Sequence, residues 1–132
     1  EVKDIKKNSD TTYVICDGGI HQLKYYGQMM AMQVPVIRVM RNGRELTEGG
    51  SDATEYCICG SLCTVADVLV REVKLPELQV GDVIAFEKCG AYSVTEGAGM
   101  FLSRDLPAVC IKHIDKTIEL CREQLPTNQW NY

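Results

Sequence analysis

Turn-forming residues punctuate this chain at close intervals. The short runs between them, rich in Val, Ile, Thr and Tyr, leave room for strands but little for long helices. Residues 11–16 form a run that stops at Asp17-Gly18-Gly19, residues 34–41 one that stops at Asn42-Gly43, and residues 54–59 one that stops at Gly60. Each stop has the residues that a tight turn requires. Residues 68–73 alternate apolar and polar up to Leu75-Pro76, and Gly81-Asp82 turns into an apolar run over 83–86. Two more strands are expected around Tyr92 and over 108–114, with the Gly-rich stretch 96–99 between them. Helical signals are confined to a turn over 22–31 and a terminal stretch over 116–123, where Ile118 and Cys121 have helical spacing. The expected fold is mostly β: an antiparallel, Greek-key-like β-barrel with one or two short helices, since closing a sheet removes its exposed edges.

A length of 132 residues with 45% hydrophobic and 24% charged side chains suits one compact domain over 1–132. The net charge of -4 and the mixed scatter of both signs provide no basic stripe, so nucleic acid is not an expected partner. No apolar run approaches the roughly 20 residues needed to cross a bilayer, and Glu1-Val2-Lys3-Asp4 lacks the apolar core of a signal peptide. A first residue of Glu suggests excision from a longer chain. Seven cysteines, an odd number and mostly in apolar stretches, fit a reducing cytoplasm. Cys57 and Cys59 with Cys63 invite a zinc reading. No CxxC pair exists, however, and His21 and His113 are far away in sequence, so no metal is expected. On one strand the thiols of Cys57 and Cys59 share a face, and core packing accounts for them.

Three segments carry the functional signal when read in order: Asp17-Gly18-Gly19, then the loop 60–67 with Cys63 and Asp67, then Gly90-Ala91-Tyr92. Gly81-Asp82 ahead of an apolar strand and the stretch 101–108 complete the pattern. Together they resemble the C-terminal domain of the fold type III pyridoxal-phosphate decarboxylases, the group that contains diaminopimelate decarboxylase and the eukaryotic-type ornithine decarboxylases. The resemblance covers most of the chain.

It implies that Cys63 is the catalytic acid. Decarboxylation leaves a carbanion that the cofactor ring stabilises, so the protein must add geometry and a proton, and a thiol with an ordinary pKa of about 8.5 is a competent donor near neutrality. Tyr92 is expected to bind the cofactor phosphate or the substrate, with a core tyrosine as the bland alternative. Phe101 is expected to wall the substrate pocket, although an aromatic near a strand start is as often plain core. Asp67, at the mouth of a strand, is expected to support the cysteine loop. In Asp17-Gly18-Gly19 the glycines permit positive φ and close approach of another chain or cofactor.

The chain departs from the family in the substrate-gripping region. Aligning Tyr26 with the family's substrate-binding tyrosine puts Gln22 where an arginine is expected, and an amide cannot replace the bidentate clamp of a guanidinium on a carboxylate. Thr64, beside the cysteine, replaces an acidic residue that meets the far amino group of the substrate. Both changes argue against the charged far end of diaminopimelate, lysine or ornithine unless Lys24, His21 or another domain compensates. His21 reads as an exposed turn histidine.

The resemblance also implies an N-terminal pyridoxal-phosphate-binding α/β barrel of about 250 residues, absent from this chain, which supplies the cofactor lysine and phosphate loop. It further implies a homodimer in which the cysteine loop of one subunit completes the other's site, acting on a small amino acid. The isolated chain is then expected to be inactive. Two other readings stand beside it: a free-standing β-barrel binding module, and a domain of a related amino-acid racemase.

Overall fold

The computed structural model describes residues 1–30, 32–47 and 53–130, without the side chain of Met29. Among the described residues nine strands dominate: β1 (Val2–Asn8), β2 (Thr11–Cys16), β3 (Val36–Arg41), β4 (Arg44–Glu45), β5 (Thr54–Cys59), β6 (Val68–Leu75), β7 (Val83–Glu87), β8 (Val109–Lys112) and β9 (Ile118–Arg122). Single 3-10 turns at Gln28–Met30, Ala91–Ser93 and Asn128–Trp130 are the helical share among the described residues.

The strands form three sheets, ordered β1-β2-β5-β6, β4-β3-β7 and β8-β9, and no closed barrel is found among the described residues. The expectation of antiparallel pairing is corrected at one place, because β2 runs parallel to β5, with Thr12 opposite Tyr56 and Ile15 opposite Cys59. The other pairings are antiparallel. The long excursion through the second sheet between β2 and β5 makes the parallel arrangement accessible, since parallel neighbours need a long connection.

Local sequence explains most boundaries. Pro35 has no N–H to give a ladder, and β3 starts one residue beyond it. Asn42 and Gly43 have φ of 52° and 74°, the paired positive values that join two strands through a two-residue turn. Strand β1 escaped the sequence pattern because a bulge between Val2 and Asp4 breaks its alternation and most of its side chains face solvent. The terminal helix expected over 116–123 is instead the hairpin arm β9. Lys116 has φ 71°, and the Asp115 carboxylate accepts from the Thr117 amide and hydroxyl at 3.0 and 2.6 Å, which turns the chain back on β8. The helical turn expected over 22–31 shrinks to Gln28–Met30, and Ala31 lies outside the described residues.

Val2, Val14, Val39, Tyr56, Ile58, Leu69, Val70, Leu75 and Leu78 form the buried core shared by the first two sheets. The sheets are stitched together at Val2, whose N–H donates to the Asp82 carbonyl at 2.8 Å and whose carbonyl accepts from Gly81 at 2.9 Å. The Asp82 side chain is buried and takes two hydrogen bonds from Arg41, each 2.8 Å, plus the Gln79 amide at 2.7 Å. Among the described residues no helix is long and apolar enough to cross a membrane.

Candidate active site

Parallel strands end at the same side of a sheet. The register that sets Ile15 opposite Cys59 therefore delivers the turn after β2 and the loop after β5 to one place. Ser61 ties them there, its amide donating to the Gly18 carbonyl at 3.0 Å and its hydroxyl to the Asp17 carbonyl at 2.9 Å. Asp67, only 3% exposed, closes the clasp. One carboxylate oxygen accepts from Ile20 N–H at 2.8 Å and the other from Leu62 N–H at 2.7 Å, so a single side chain fixes both segments. A buried carboxylate is tolerable because charge-assisted bonds satisfy it.

The glycines follow from this clasp. A Cβ at Gly19 would lie 2.5 Å from Asp67 Oδ2, and one at Gly60 would collide with the same carboxylate. Neither Gly18 nor Gly19 has positive φ, so their value is close approach, and the approaching group is Asp67.

Cys63 stands exposed at the tip of the clasped loop, next to the buried anchor Leu62 and the fully exposed Val65. Thr64 turns the tip: its amide donates to the Leu62 carbonyl at 2.8 Å and its hydroxyl accepts from Ala66 N–H at 3.2 Å. Arg104 Nη2 donates to the Ser61 carbonyl at 2.6 Å, while the buried Thr127 hydroxyl holds the Arg104 carbonyl at 2.8 Å. Sequence reasoning did not single out Arg104; as one cation within a loop, it gave no signal of the carbonyl it braces.

The segment around Tyr92 is not the strand expected but a 3-10 turn, Ala91–Ser93, opened by Gly90 at φ 88°. Tyr92 is 70% exposed, and its phenol has no hydrogen bond among the described residues. The segment leans on the turn after β2: Lys24 N–H donates to Ser93 O at 3.2 Å and Ala98 N–H to Ile20 O at 3.0 Å. All three sequence motifs thus meet on residues 17–24. Residues 97–101, including the half-buried Phe101, line an open depression of about 400 Å³.

Tyr26 is exposed and lines a second cavity, of about 300 Å³, with Tyr25, Val34, Pro35, Lys88 and Gly90. Its neighbour Tyr25 is structural, buried with its hydroxyl donating to the Leu69 carbonyl. Gln22 is folded back over the turn, with its side-chain oxygen 2.7 Å from where a Cβ on Gly18 would sit. His21 is the clearest correction, since it is 3% exposed rather than solvated, with Nδ1 unpartnered. Burial holds its pKa below the usual histidine value; the Asp67 charge opposes that and the Arg104 charge reinforces it.

Cys57 and Cys59 share a strand face with Sγ atoms 3.9 Å apart, and among the described residues no three metal-binding side chains gather. Burial, then the nearby Cys57, pushes the Cys59 thiol up to about 12.

The architecture is shared with solved enzymes. A diaminopimelate decarboxylase crystal structure superposes with a TM-score of 0.80 at 23% identity, over 98% of this chain and 31% of that one. The Helicobacter pylori diaminopimelate decarboxylase complexed with L-lysine gives a TM-score of 0.76 at 24% identity, over 98% and 29%. The family model described as pyridoxal-dependent decarboxylase, C-terminal sheet domain, matches residues 1–90, and the chain belongs to this family. It is 27% identical over 139 residues to the diaminopimelate decarboxylase of Buchnera aphidicola subsp. Baizongia pistaciae, covering 95% of this chain and 32% of that protein. It is also 32% identical over 108 residues to the Staphylococcus aureus 2-[(L-alanin-3-ylcarbamoyl)methyl]-2-hydroxybutanedioate decarboxylase, covering 81% of this chain and 27% of that protein. The chain thus spans about a third or less of the length of these curated relatives.

Proposed function

We propose that this chain, 1–132, is the C-terminal domain of a pyridoxal-phosphate-dependent amino-acid decarboxylase, most similar in kind to diaminopimelate decarboxylase, and completes an active site housed elsewhere. The observation that carries the reading is the Asp67 clasp, which spends a buried carboxylate on holding an exposed cysteine at a fixed place. A loop with no task at its tip has no need of such support.

Bound pyridoxal phosphate supplies the electron sink for loss of carbon dioxide. Cys63 Sγ–H then gives its proton to the substrate carbon that lost the carboxylate. Tyr92, whose exposed phenol has no hydrogen bond among the described residues, fits as a hydrogen-bond donor to the cofactor phosphate. Tyr26, Thr64 and Phe101 contribute the substrate-facing wall, and Asp67 keeps the loop in register. The cofactor lysine belongs to an N-terminal α/β barrel, and a second subunit receives Cys63. In that whole, cytoplasmic protein the sheets close into a Greek-key-like barrel. The Staphylococcus aureus relative is named for a butanedioate, a substrate with carboxylates. That chemistry suits a site in which Thr64 has replaced an acidic group.

The test is to assay the full-length protein with pyridoxal phosphate on a panel of amino acids, recording carbon dioxide, product amine and product chirality. Turnover that falls sharply in Cys63→Ala, with an inert isolated chain, is the expected result. Turnover by the isolated chain, or racemised rather than decarboxylated product, overturns it.

A further inference from the structure

Residues 20–26 contain one permanent cation, Lys24, and the structure ties its backbone to the turn that carries Tyr92. Its backbone N–H is held by Ser93 O at 3.2 Å, and the Glu96 N–H is held by Tyr92 O at 3.0 Å, so both residues are fixed to the tyrosine turn. Their side chains reach each other only loosely: Lys24 Nζ lies 3.8 Å from Glu96 Oε2, with the two 42% and 53% exposed. That separation exceeds the hydrogen-bond range, so the pair gives up little when it opens. No other side chain of the segment offers an exposed cation. Gln22 is folded over Gly18 and His21 is buried.

We infer that Lys24 receives the far-end carboxylate of the substrate and that Glu96 is its internal competitor, a reading that rests on the decarboxylase assignment. With Thr64 in place of an acid, the cysteine loop offers nothing to a far-end ammonium. Lys24, meanwhile, is bonded through its amide to Ser93, the residue that follows the tyrosine assigned to the cofactor. A substrate carboxylate displaces the Glu96 carboxylate and makes the short, charge-assisted bond that the resting pair lacks. Glu96 lies on a glycine-containing stretch and is the more exposed partner, so it is the one that yields.

The experiment uses the full-length protein and measures KM and kcat for L-2-aminoadipate, with a far-end carboxylate, and for L-ornithine, with a far-end ammonium. Lys24→Gln is expected to raise KM for aminoadipate about tenfold, Lys24→Arg to restore it, and Glu96→Gln to lower it. Ornithine is expected to be the poorer wild-type substrate and to gain relative to aminoadipate in Lys24→Gln. The opposite signs of the two neutralising variants are the diagnostic, because loss of a merely structural ion pair would move KM the same way in both. Same-sign effects, no change in the aminoadipate to ornithine preference, or a wild type that prefers ornithine overturns the inference alone. A wild type that decarboxylates nothing overturns the decarboxylase assignment with it.

Discussion

The carboxylate of Asp67 occupies the space that a side chain on Gly60 would need, and the same carboxylate holds the Leu62 amide at 2.7 Å. Gly60→Ala therefore has to push Asp67 off its two amides. The expected loss of stability is about 2–3 kcal/mol, since each buried N–H left without an acceptor costs roughly 1–3 kcal/mol. Asp67→Asn keeps the volume but offers one oxygen for two donors, with an expected loss of about 1–2 kcal/mol. Urea denaturation measures both, and a midpoint unmoved by Gly60→Ala would show that the clasp is not rigid.

Acid acts on the fold in two windows. The Arg41 guanidinium, by hydrogen bonding, holds the Asp82 pKa below the ordinary carboxylate value, with burial opposing it and the Gln79 amide helping. A depressed folded pKa means stability present above the unfolded value of about 4 and lost as pH falls through the folded one. His21, also depressed, contributes in the same sense but earlier, as pH falls below about 6.5. Stability measured against pH should show two descending steps. Asp82→Asn should shrink the lower, to which Asp17 and Asp115 also contribute, and His21→Asn should remove the upper.

Thiol reactivity should sort by burial. Burial pushes Cys16 up to about 11 and Cys59 to about 12, so at pH 8 each is at most about one-thousandth thiolate. Timed alkylation followed by mass spectrometry should label the exposed Cys63, Cys110 and Cys121 first. Early labelling of Cys59 would contradict the buried strand face.

In the full-length protein Cys63→Ala should lower kcat by about 10²–10⁴, the range associated with one proton donor. Tyr92→Phe should mainly weaken cofactor retention, by about tenfold or more for one hydrogen bond to a charged phosphate, as read by dialysis against buffer without pyridoxal phosphate. Equal retention would move Tyr92 from the cofactor to the substrate.

The strands most legible in the sequence were those with glycine or proline at their ends. Residues 11–16 and 54–59 match β2 and β5 residue for residue, because the turns after them are written in glycine. Strand β9 was read as helix because Ile118 and Cys121 share helical spacing, while the decisive positive φ at Lys116 has no glycine to announce it. The parallel pairing was illegible, because period-two alternation carries no direction. In the site, Asp67 was expected to support its loop, but the amides it accepts from, 47 and 5 residues away, could not be known. His21 looked solvated for the same reason: Gly97, which closes on its backbone, and the Asp67 and Arg104 charges that act on its ring come from distant segments.

The parallel register of β2 and β5 also sets an order of events during synthesis. The β1-β2 hairpin closes locally, whereas β2 must wait for a partner about forty residues further on, and pairings of such separation are slow. A nascent chain that has not yet released β5 and Asp67 therefore carries a formed hairpin whose glycine turn has nothing to grip. The exposed Cys63 thiol gains its platform only after the segment that follows it has left the ribosome.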